Sequence, residues 1–415
     1  IAAYNKYFSC YKKSYNNMKK YFYFFISIFL SLVFFSSCEE GLGEDASEPT
    51  PSSGDESLSN RILGGSSGNG EPSEPGVITA GEWNDLENWD FWMNLIQKDT
   101  ISLVKELWGF YPDNRYTFTI SDKNLLPVID APIKLLSGDD ILWETRTDNL
   151  GKATLWVNLF DQSKSSSTNK IAITVEGKTF EYTNLEILIG QNNEIKLPVA
   201  TQNKYFEVDL AFVVDATGSM GDELEYLKTE LLDVVSRVES RNAAIKLNLG
   251  AVFYRDEGDE YVTRVSNISE NSIDAVEFIQ KQSADGGGDY PEAVHVALSD
   301  AVSQLSWSNE ARTRILFLVL DAPPHQETPA VLEKIRTETA KAAKKGIKII
   351  PITASGIDKP TEFLMRFMAL ATSGTYVFIT DDSGIGNDHL EPTVGEYEVE
   401  FLNDLMVRLV SKYSL

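Results

Sequence analysis

The sequence contains few of the side chains that bind zinc or form disulfides. Its 415 residues include only two cysteines and three histidines, and both cysteines, Cys10 and Cys38, lie close to the N-terminus. Zinc sites need three or four ligands drawn mainly from Cys and His, so zinc chemistry is not expected. Without disulfides the folded part has to be stabilised by packing, for which an apolar fraction of 42% is sufficient.

Positively charged residues are also scarce. The chain has 37 lysines and arginines against 62 aspartates and glutamates, a formal charge of −25, and residues 1–37 hold five lysines and no acid. The remainder therefore carries about −30, which would repel a phosphate backbone, so we expect no nucleic-acid partner. The pattern Gly-x-x-x-x-Gly-Lys-Ser/Thr is absent too, which excludes that type of phosphate-binding loop.

A short apolar run near the N-terminus indicates export. Met18-Lys19-Lys20 leads into residues 21–35 and then Ser36-Ser37-Cys38, and this run is shorter than the roughly 20 residues of a membrane-spanning helix. The arrangement resembles a bacterial lipoprotein signal with Cys38 as the lipidated residue, and an uncleaved anchor is the alternative. The acids that follow, Glu39-Glu40, resemble the surface-export signals of some Gram-negative lipoproteins. We therefore expect a lipid-anchored outer-membrane protein of a Gram-negative bacterium, with the acids favouring display at the cell surface.

Composition divides the chain into six predicted segments. Residues 39–76 are mainly Ser, Gly, Glu and Pro and cannot bury a core, so they should form a disordered tether. Trp83, Trp89 and Trp92 recur at helical spacing, which favours core-forming amphipathic helices over a carbohydrate platform. The segments are an upstream extension (1–17), a signal peptide (18–37), the lipidated Cys and tether (38–76), a Trp-rich helical segment (77–111), a β-sandwich (112–200) and an α/β domain (205–415).

Residues 112–200 have the alternation typical of short strands. Seven period-two runs separated by turn residues predict a small all-β sandwich. Residues 127–135 and 147–153 resemble carboxypeptidase regulatory-like and bacterial immunoglobulin-like modules, which implies a spacer or contact module without catalysis. The predicted strands are 115–121, 133–136, 141–147, 153–158, 170–175, 179–182 and 194–198.

Residues 205–415 alternate between buried-type strands and amphipathic helices. This order predicts an α/β fold with a doubly wound, mostly parallel sheet and helices on both faces. We expect one of the helices to begin at Pro291 and the last helix to span 396–412. Ligands of such sheets bind beyond the carboxyl ends of the strands, where the strand order reverses.

Oxygen-bearing side chains follow these strands at the points where the strands end. Asp215, Thr217 and Ser219 succeed the first strand at two-residue spacing, and Asp321 follows the strand 313–320. A glycine-rich loop between them presents Asp289. Carboxylate and alcohol oxygens suit a hard cation such as Mg²⁺ or Mn²⁺. The first three residues are also a good helix entry, so a purely structural capping role is the alternative.

The order of these motifs resembles the von Willebrand factor type A domain with its metal-ion-dependent adhesion site. The Gly286–Gly288, Asp289 and Glu292 loop is similar to the subgroup that contains hemicentins and the A domains of some alpha-kinases. The resemblance implies that Asp215, Thr217, Ser219, Asp289 and Asp321 hold Mg²⁺, Mn²⁺ or Ca²⁺. Asp289 stands where most members have threonine, so three carboxylates could surround the ion, either directly or with Asp289 acting through water.

Five further residues are predicted at the rim of this site. Arg255 and Asp256 follow the strand 246–254, where Arg255 could hold an acid, although a plain surface pair is equally consistent with the sequence. His325 should brace Asp321. Asp381 and Asp382 follow the last strand, where a solvated turn is favoured over a ligand-contacting or second cation loop.

The sequence favours a binding protein over an enzyme. In this hypothesis a protein or other acidic ligand completes the cation's coordination shell with an acidic side chain. The first alternative is a scaffold whose metal only stabilises the A domain. The second is a serine hydrolase using Ser219 and His325, but the motif Gly-x-Ser-x-Gly would need glycine at Thr217.

Overall fold

The computed structural model describes residues 74–162, 169–183, 190–202, 206–241 and 245–415. The predicted extension, signal peptide and lipidated Cys38, with nearly all of the tether, lie outside these residues. Within the described ranges, no helix has both the length and the apolar character needed to cross a membrane.

The segment predicted to be helical begins with a strand. Strand β1 (Thr79–Trp83) precedes helices α1 (Trp89–Leu95) and α2 (Asp99–Trp108). Trp92 and Trp108 are almost fully buried, so these side chains form core. Gly81 is required in β1 because a Cβ there would lie 2.6 Å from the ring of Phe378. The helical spacing of the tryptophans concealed this strand.

In the described part of the β-sandwich, the structure has the seven predicted strands. One sheet has three strands in the order β5-β2-β8, and the other has four in the order β4-β3-β6-β7. The elements are β2 (Arg115–Ser121), β3 (Pro132–Ser137), β4 (Asp140–Arg146), β5 (Lys152–Trp156), β6 (Asn169–Val175), β7 (Lys178–Thr183) and β8 (Asn192–Lys196). The prediction of a small all-β module is confirmed.

The C-terminal part is the predicted doubly wound α/β fold. Its strands are β9 (Glu207–Asp215), β10 (Lys246–Tyr254), β11 (Thr263–Ser269), β12 (Thr313–Leu320), β13 (Ile347–Thr353), β14 (Tyr376–Ile379) and β15 (Val399–Phe401). Its helices are α3 (Gly221–Arg241), α4 (Ser272–Gln280), α5 (Val294–Ser299), α6 (Pro329–Lys345), α7 (Lys359–Ala371) and α8 (Leu402–Ser414).

The sheet order is β11-β10-β9-β12-β13-β14-β1-β15. The central strands β10, β9, β12, β13 and β14 are parallel, while β11 and β1 are antiparallel to their neighbours. The carboxyl ends of β9 and β12 therefore meet at one edge, which brings the residues after them together.

The sandwich and the α/β sheet share one continuous core. Buried residues of the sandwich, including Phe118 and Leu135, belong to the same apolar cluster as Leu318 and Phe367. The opposite face of the sheet packs a second core against α3 and α8. Glu230 on α3 also accepts hydrogen bonds from the backbone N–H groups of residues 76–78, so the start of β1 is fixed to the helix layer.

Two predicted helix boundaries differ from the structure. The helix expected to begin at Pro291 begins at Val294, because Glu292 forms a bridge with Pro324 and donates its backbone N–H to the Pro323 carbonyl at 2.8 Å. The helix expected over 396–412 is the edge strand β15 followed by α8.

Gly374, in the turn between α7 and β14, provides a test of the packing at the amino end of the sheet. A Cβ at this position would lie 2.0 Å from the carbonyl oxygen of Ile349. We expect Gly374→Ala to lower the free energy of unfolding by about 1–3 kcal/mol, because the backbone must shift. Urea unfolding measures the change. The control Gly221→Ala, where nothing lies within 4 Å of the added Cβ, should be neutral or slightly stabilising, and an equal loss in both variants would contradict the prediction.

Candidate metal centre

The turn after β9 is organised by its own side chains. Asp215 is fully buried, and its Oδ1 accepts hydrogen bonds from the Thr217 backbone N–H at 2.9 Å and hydroxyl at 2.7 Å. The Thr217 hydroxyl lies 3.1 Å from that of Ser219, which is exposed. Side-chain oxygens at alternate positions therefore converge, as the sequence predicts.

The glycine-rich loop packs directly against this turn. Gly218 donates its N–H to the Gly286 carbonyl at 3.1 Å. Gly287 has φ +70°, and a Cβ there would lie 3.0 Å from Glu292 Oε1 and 3.2 Å from Thr217 Cβ. Glycine is needed at 287 because both the backbone conformation and the close approach exclude a larger residue.

Asp321 and Glu292 bring further carboxylates to the same place. Both are buried, with 4% and 3% of their surface exposed. The Ser219 hydroxyl hydrogen-bonds to Asp321. Asp321 Oδ1 and Glu292 Oε2 are buried and lack a hydrogen-bond partner among the described residues. Asp215 Oδ2 has no partner with good hydrogen-bond geometry there either, although the buried Tyr254 hydroxyl is close enough to lower the pKa of Asp215. Buried acceptors without donors are rare in folded proteins, so this cluster calls for a cation or protons.

The electrostatics of the cluster agree with this reading. Burial, reinforced by the charge of Asp215, raises the pKa of Asp321, and burial also raises the pKa of Asp215. Burial and the charges of Asp215, Asp256 and Asp321 raise the pKa of Glu292 to about 9. In the absence of a cation the cluster therefore retains protons near neutral pH, and cation binding would have to release them.

The loop acid that faces the cluster is Glu292. Asp289 is exposed at the surface and is not among the groups whose charge raises the pKa of Asp215, Asp321 or Glu292. Sequence reasoning passed over Glu292 because it was assigned to the first turn of a helix. The role of Asp289 as a ligand stays a prediction.

The side chain of Arg255 holds the backbone of the turn that follows β9. Its side chain is 3% exposed, and it donates to the carbonyls of Ala216 at 3.1 Å and Ser283 at 2.9 Å. It thus ties the turn to the start of the glycine-rich loop. The nearest carboxylate oxygens, on Glu260 and Asp285, are 3.8 and 3.9 Å away. Arg255 therefore contacts backbone carbonyls more closely than it contacts any of these acids.

His325 contacts Asp256 instead of Asp321. Its Nε2 lies 2.7 Å from Asp256 Oδ1, and its Nδ1 lies 3.3 Å from Glu327. Asp256 is buried, and its charge contributes to the raised pKa values of Asp215 and Glu292. The histidine therefore orients an acid next to the cluster.

The last rim loop reaches the site through a histidine that the sequence analysis did not assign. Asp381 and Asp382 are exposed in a short 3-10 turn. Asp381 accepts a hydrogen bond from the His389 backbone and lies 2.8 Å from its Nδ1. His389 Nε2 lies 3.3 Å from Glu223, whose charge helps to raise the pKa of Asp321.

The residues present fit a hard divalent cation that is held partly by hydroxyls. Among the described residues, no three Asp, Glu, His or Cys side chains form a metal-binding group by themselves. A ligand set would therefore have to include Thr217 and Ser219, with the unpartnered oxygens of Asp215 and Asp321. Such an all-oxygen set is typical of Mg²⁺ or Mn²⁺ sites that retain water positions.

The fold agrees with the family comparison. Residues 209–388 match the model of the von Willebrand factor type A domain. The chain therefore contains a domain of this family, as its motifs predict. Strands β1 and β15 lie outside the matched residues and extend its sheet.

Two curated proteins share part of the sequence. The alpha-protein kinase vwkA of Dictyostelium discoideum is 30% identical over 137 residues, which is 32% of this chain and 21% of the relative. A protein of Acanthamoeba polyphaga mimivirus described as ariadne-like RING finger protein R811 is 36% identical over 123 residues, 30% of this chain and 12% of the relative. The chain thus spans only a small part of either relative's length.

Solved structures give more distant likenesses. BatB from Bacteroides thetaiotaomicron has 16% identity and a TM-score of 0.34, covering 50% of this chain and 98% of that one. An aerotolerance-related membrane protein from Bacteroides fragilis NCTC 9343 has 14% identity and a TM-score of 0.31, covering 49% and 99%.

Proposed function

We propose that this protein is a cell-envelope binding protein that captures a protein or other acidic ligand through a divalent cation. Asp215, Thr217, Ser219 and Asp321 would hold the cation, and Asp289 would contribute from the rim. The observation that carries the proposal is the set of buried carboxylate oxygens without donors at the edge where β9 and β12 end. A bound cation supplies positive charge and an open coordination position for the partner's carboxylate.

The surrounding residues would keep this arrangement ready for a partner. Arg255 fixes the backbone of the turn, and Glu292 brings a further carboxyl group to the cluster, with a pKa raised to about 9 in the absence of a cation. Because the acids lie in a buried site before a cation arrives, the cation offsets repulsion that the fold already carries. Mg²⁺ is the cation that we propose first, with Mn²⁺ and Ca²⁺ as alternatives, and Cys38 would carry the lipid anchor.

The same contacts give little support to hydrolysis. A serine nucleophile needs a base within hydrogen-bonding reach. The Ser219 hydroxyl contacts Thr217 and Asp321, whereas both ring nitrogens of His325 face acids. We therefore propose no catalytic role. One observation favours the scaffold hypothesis: the sandwich and the A domain share one apolar core. Because this core joins the two modules, a partner could bind to the surface of either module.

Cation binding can be tested directly with Mn²⁺. Calorimetric titration of the chelator-treated protein should show one Mn²⁺ site. Asp215→Ala should weaken binding at least ~100-fold, because it removes a charged ligand from a buried site. The matched control is Asp382→Ala, an exposed acid at the rim, which should bind Mn²⁺ as the wild type does. Equal affinity in all three proteins would contradict the assignment.

A pull-down assay distinguishes cation-dependent partner binding from the scaffold hypothesis, in which the cation only stabilises the A domain. Pull-downs from envelope extract with Mg²⁺ or EDTA should yield a partner only with Mg²⁺, and with wild type or Glu277→Ala, an exposed acid on α4, but not with Asp215→Ala. If EDTA lowers the melting temperature yet leaves capture intact, the cation is structural and the partner binds elsewhere.

A further inference from the structure

A cavity with several charged lining residues lies at the opposite end of the sheet from the metal centre. It has a volume of about 200 Å³ and lies where the sandwich meets the amino end of β13 and the end of α8. This end of the parallel sheet is remote from the carboxyl ends of β9 and β12. Six of its lining residues carry the argument, namely Arg115, Thr117, Asp148, Lys152, Lys348 and Tyr413.

Arg115 is a buried guanidinium without an acidic partner among the described residues. It is 8% exposed, donates from Nη1 to the Leu86 carbonyl at 2.8 Å and lies 3.9 Å from the ring centroid of Trp89. Its Nε has no hydrogen-bond partner in the described part of the chain. Burial lowers the pKa of Arg115 to about 10. A buried cation of this kind is costly unless an anion compensates it.

Lys348 adds a second buried cation to the cavity. It is 6% exposed, donates to the Ser373 carbonyl at 3.0 Å and lies 4.0 Å from Asp148. Asp148 is already engaged through Oδ1 with the backbone N–H groups of residues 150 and 152. Lys152 is an exposed cation at the mouth.

The charge of the cavity is opposite to that of the chain. Its lining has four cations, the three above and Lys412, against the two acids Asp148 and Glu87. Lys412 is 3.0 Å from Glu87, so the excess positive charge rests on Arg115 and Lys152. In a protein of formal charge −25 this local excess is unusual.

Two neutral groups in the lining also lack partners. The Thr117 hydroxyl and the Tyr413 hydroxyl are buried and have no hydrogen-bond partner among the described residues. Either can donate to an anionic oxygen. The cavity thus combines unneutralised cations with spare hydrogen-bond donors, and its volume exceeds the share of a single water.

We propose that this cavity binds a small anion carrying a carboxylate or phosphoryl group. Arg115 would supply charge-assisted hydrogen bonds, Lys152 and Lys348 would add positive charge, and Thr117 and Tyr413 would complete the shell. The site is independent of the cation, so the two can be tested separately.

Calorimetry with inorganic phosphate and with succinate as probes tests the proposal. The full chain, in EDTA and at constant ionic strength set with NaCl, should bind at least one probe. Arg115→Gln should weaken binding at least ~10-fold, because it removes the charge-assisted hydrogen bonds to the anion. Lys281→Gln, a 72% exposed cation elsewhere, should leave binding unchanged. Binding of phosphate alone assigns a phosphoryl ligand, and binding of succinate alone assigns a carboxylate.

Thr117→Val keeps the proposal testable if Arg115→Gln fails to fold. Because the hydroxyl has no partner, this near-isosteric change should leave the unfolding free energy unchanged or raise it slightly, yet weaken probe binding severalfold. If the wild type binds neither probe, or if both variants bind as tightly as the wild type, the proposal is overturned.

Discussion

Replacing Asp85 with alanine should lower the free energy of unfolding by about 3–5 kcal/mol, because it leaves a buried guanidinium without its carboxylate. Arg366 on α7 is 0% exposed. Its Nη2 and Nε donate to the two oxygens of Asp85 at 2.6 and 2.8 Å. Such a bidentate pair in the interior cannot be replaced by water.

The remaining hydrogen-bond partners of Arg366 would offset the loss of Asp85 only in part. Its Nη1 donates to Glu362 at 3.2 Å and to the Thr393 carbonyl at 2.7 Å. Trp83 also loses a partner, because its Nε1 donates to Asp85 Oδ1 at 2.9 Å. The pair joins the segment before the sandwich to the A domain, so its loss should also loosen β1 at the edge of the sheet.

Chemical denaturation of three variants checks this result. Asp90→Ala, an exposed acid in the first turn of α1, is the matched control and should change the unfolding free energy by less than about 0.5 kcal/mol. The double variant Asp85→Leu with Arg366→Met should recover part of the loss, because no buried charge remains unpaired. A loss below about 1 kcal/mol for Asp85→Ala would show that the pair contributes little in this protein.

The alternation of strands and helices could be predicted because its signals are local. Strand β9 is apolar from Leu210 to Val214 and ends at Asp215, β12 is apolar from Ile315 to Leu320 and is followed by Asp321, and Arg115–Ser121 alternates with period two. The joining of β1 to this sheet could not be predicted. Its partners, such as Phe378 opposite Gly81, are almost 300 residues away in the chain, and tryptophans at helical spacing gave a competing local signal.

In the candidate site too, residues next to strand ends could be predicted from the sequence, whereas residues positioned by contacts distant in the chain could not. Asp215 and Asp321 could be placed because parallel strands end at one edge. Glu292 could not, since its burial depends on a bridge to Pro324 that has no sequence signature. His389 was missed for a similar reason, because a long loop returns it to Glu223.

The protein without its cation should become less stable as the pH rises from about 5 to 8. The pKa values of Asp215, Asp321 and Glu292 are raised to about 6, 7 and 9. Between the ordinary carboxylate range and these values the native state binds more protons than the unfolded chain, so stability decreases with pH. Each unit of raised pKa corresponds to about 1.4 kcal/mol, and the combined effect should exceed about 2 kcal/mol.

Saturating Mg²⁺ should reverse this trend, because cation and protons compete for the same oxygens. The difference in unfolding free energy between Mg²⁺ and EDTA should therefore widen as the pH rises.

Glu292→Gln isolates the contribution of the cluster from that of other titrating groups. The amide is nearly isosteric and stays neutral, so in EDTA the variant should lose less stability between pH 5 and 8 than the wild type. At pH 8 it should be the more stable protein by at least about 1 kcal/mol, because the wild type must take up a proton at Glu292 when it folds and the amide needs none. Denaturant unfolding at several pH values, with Glu277→Gln on α4 as an exposed control, measures the difference. A wild type in EDTA whose stability increases steadily from pH 5 to 8 would mean that these carboxylates do not share one buried site.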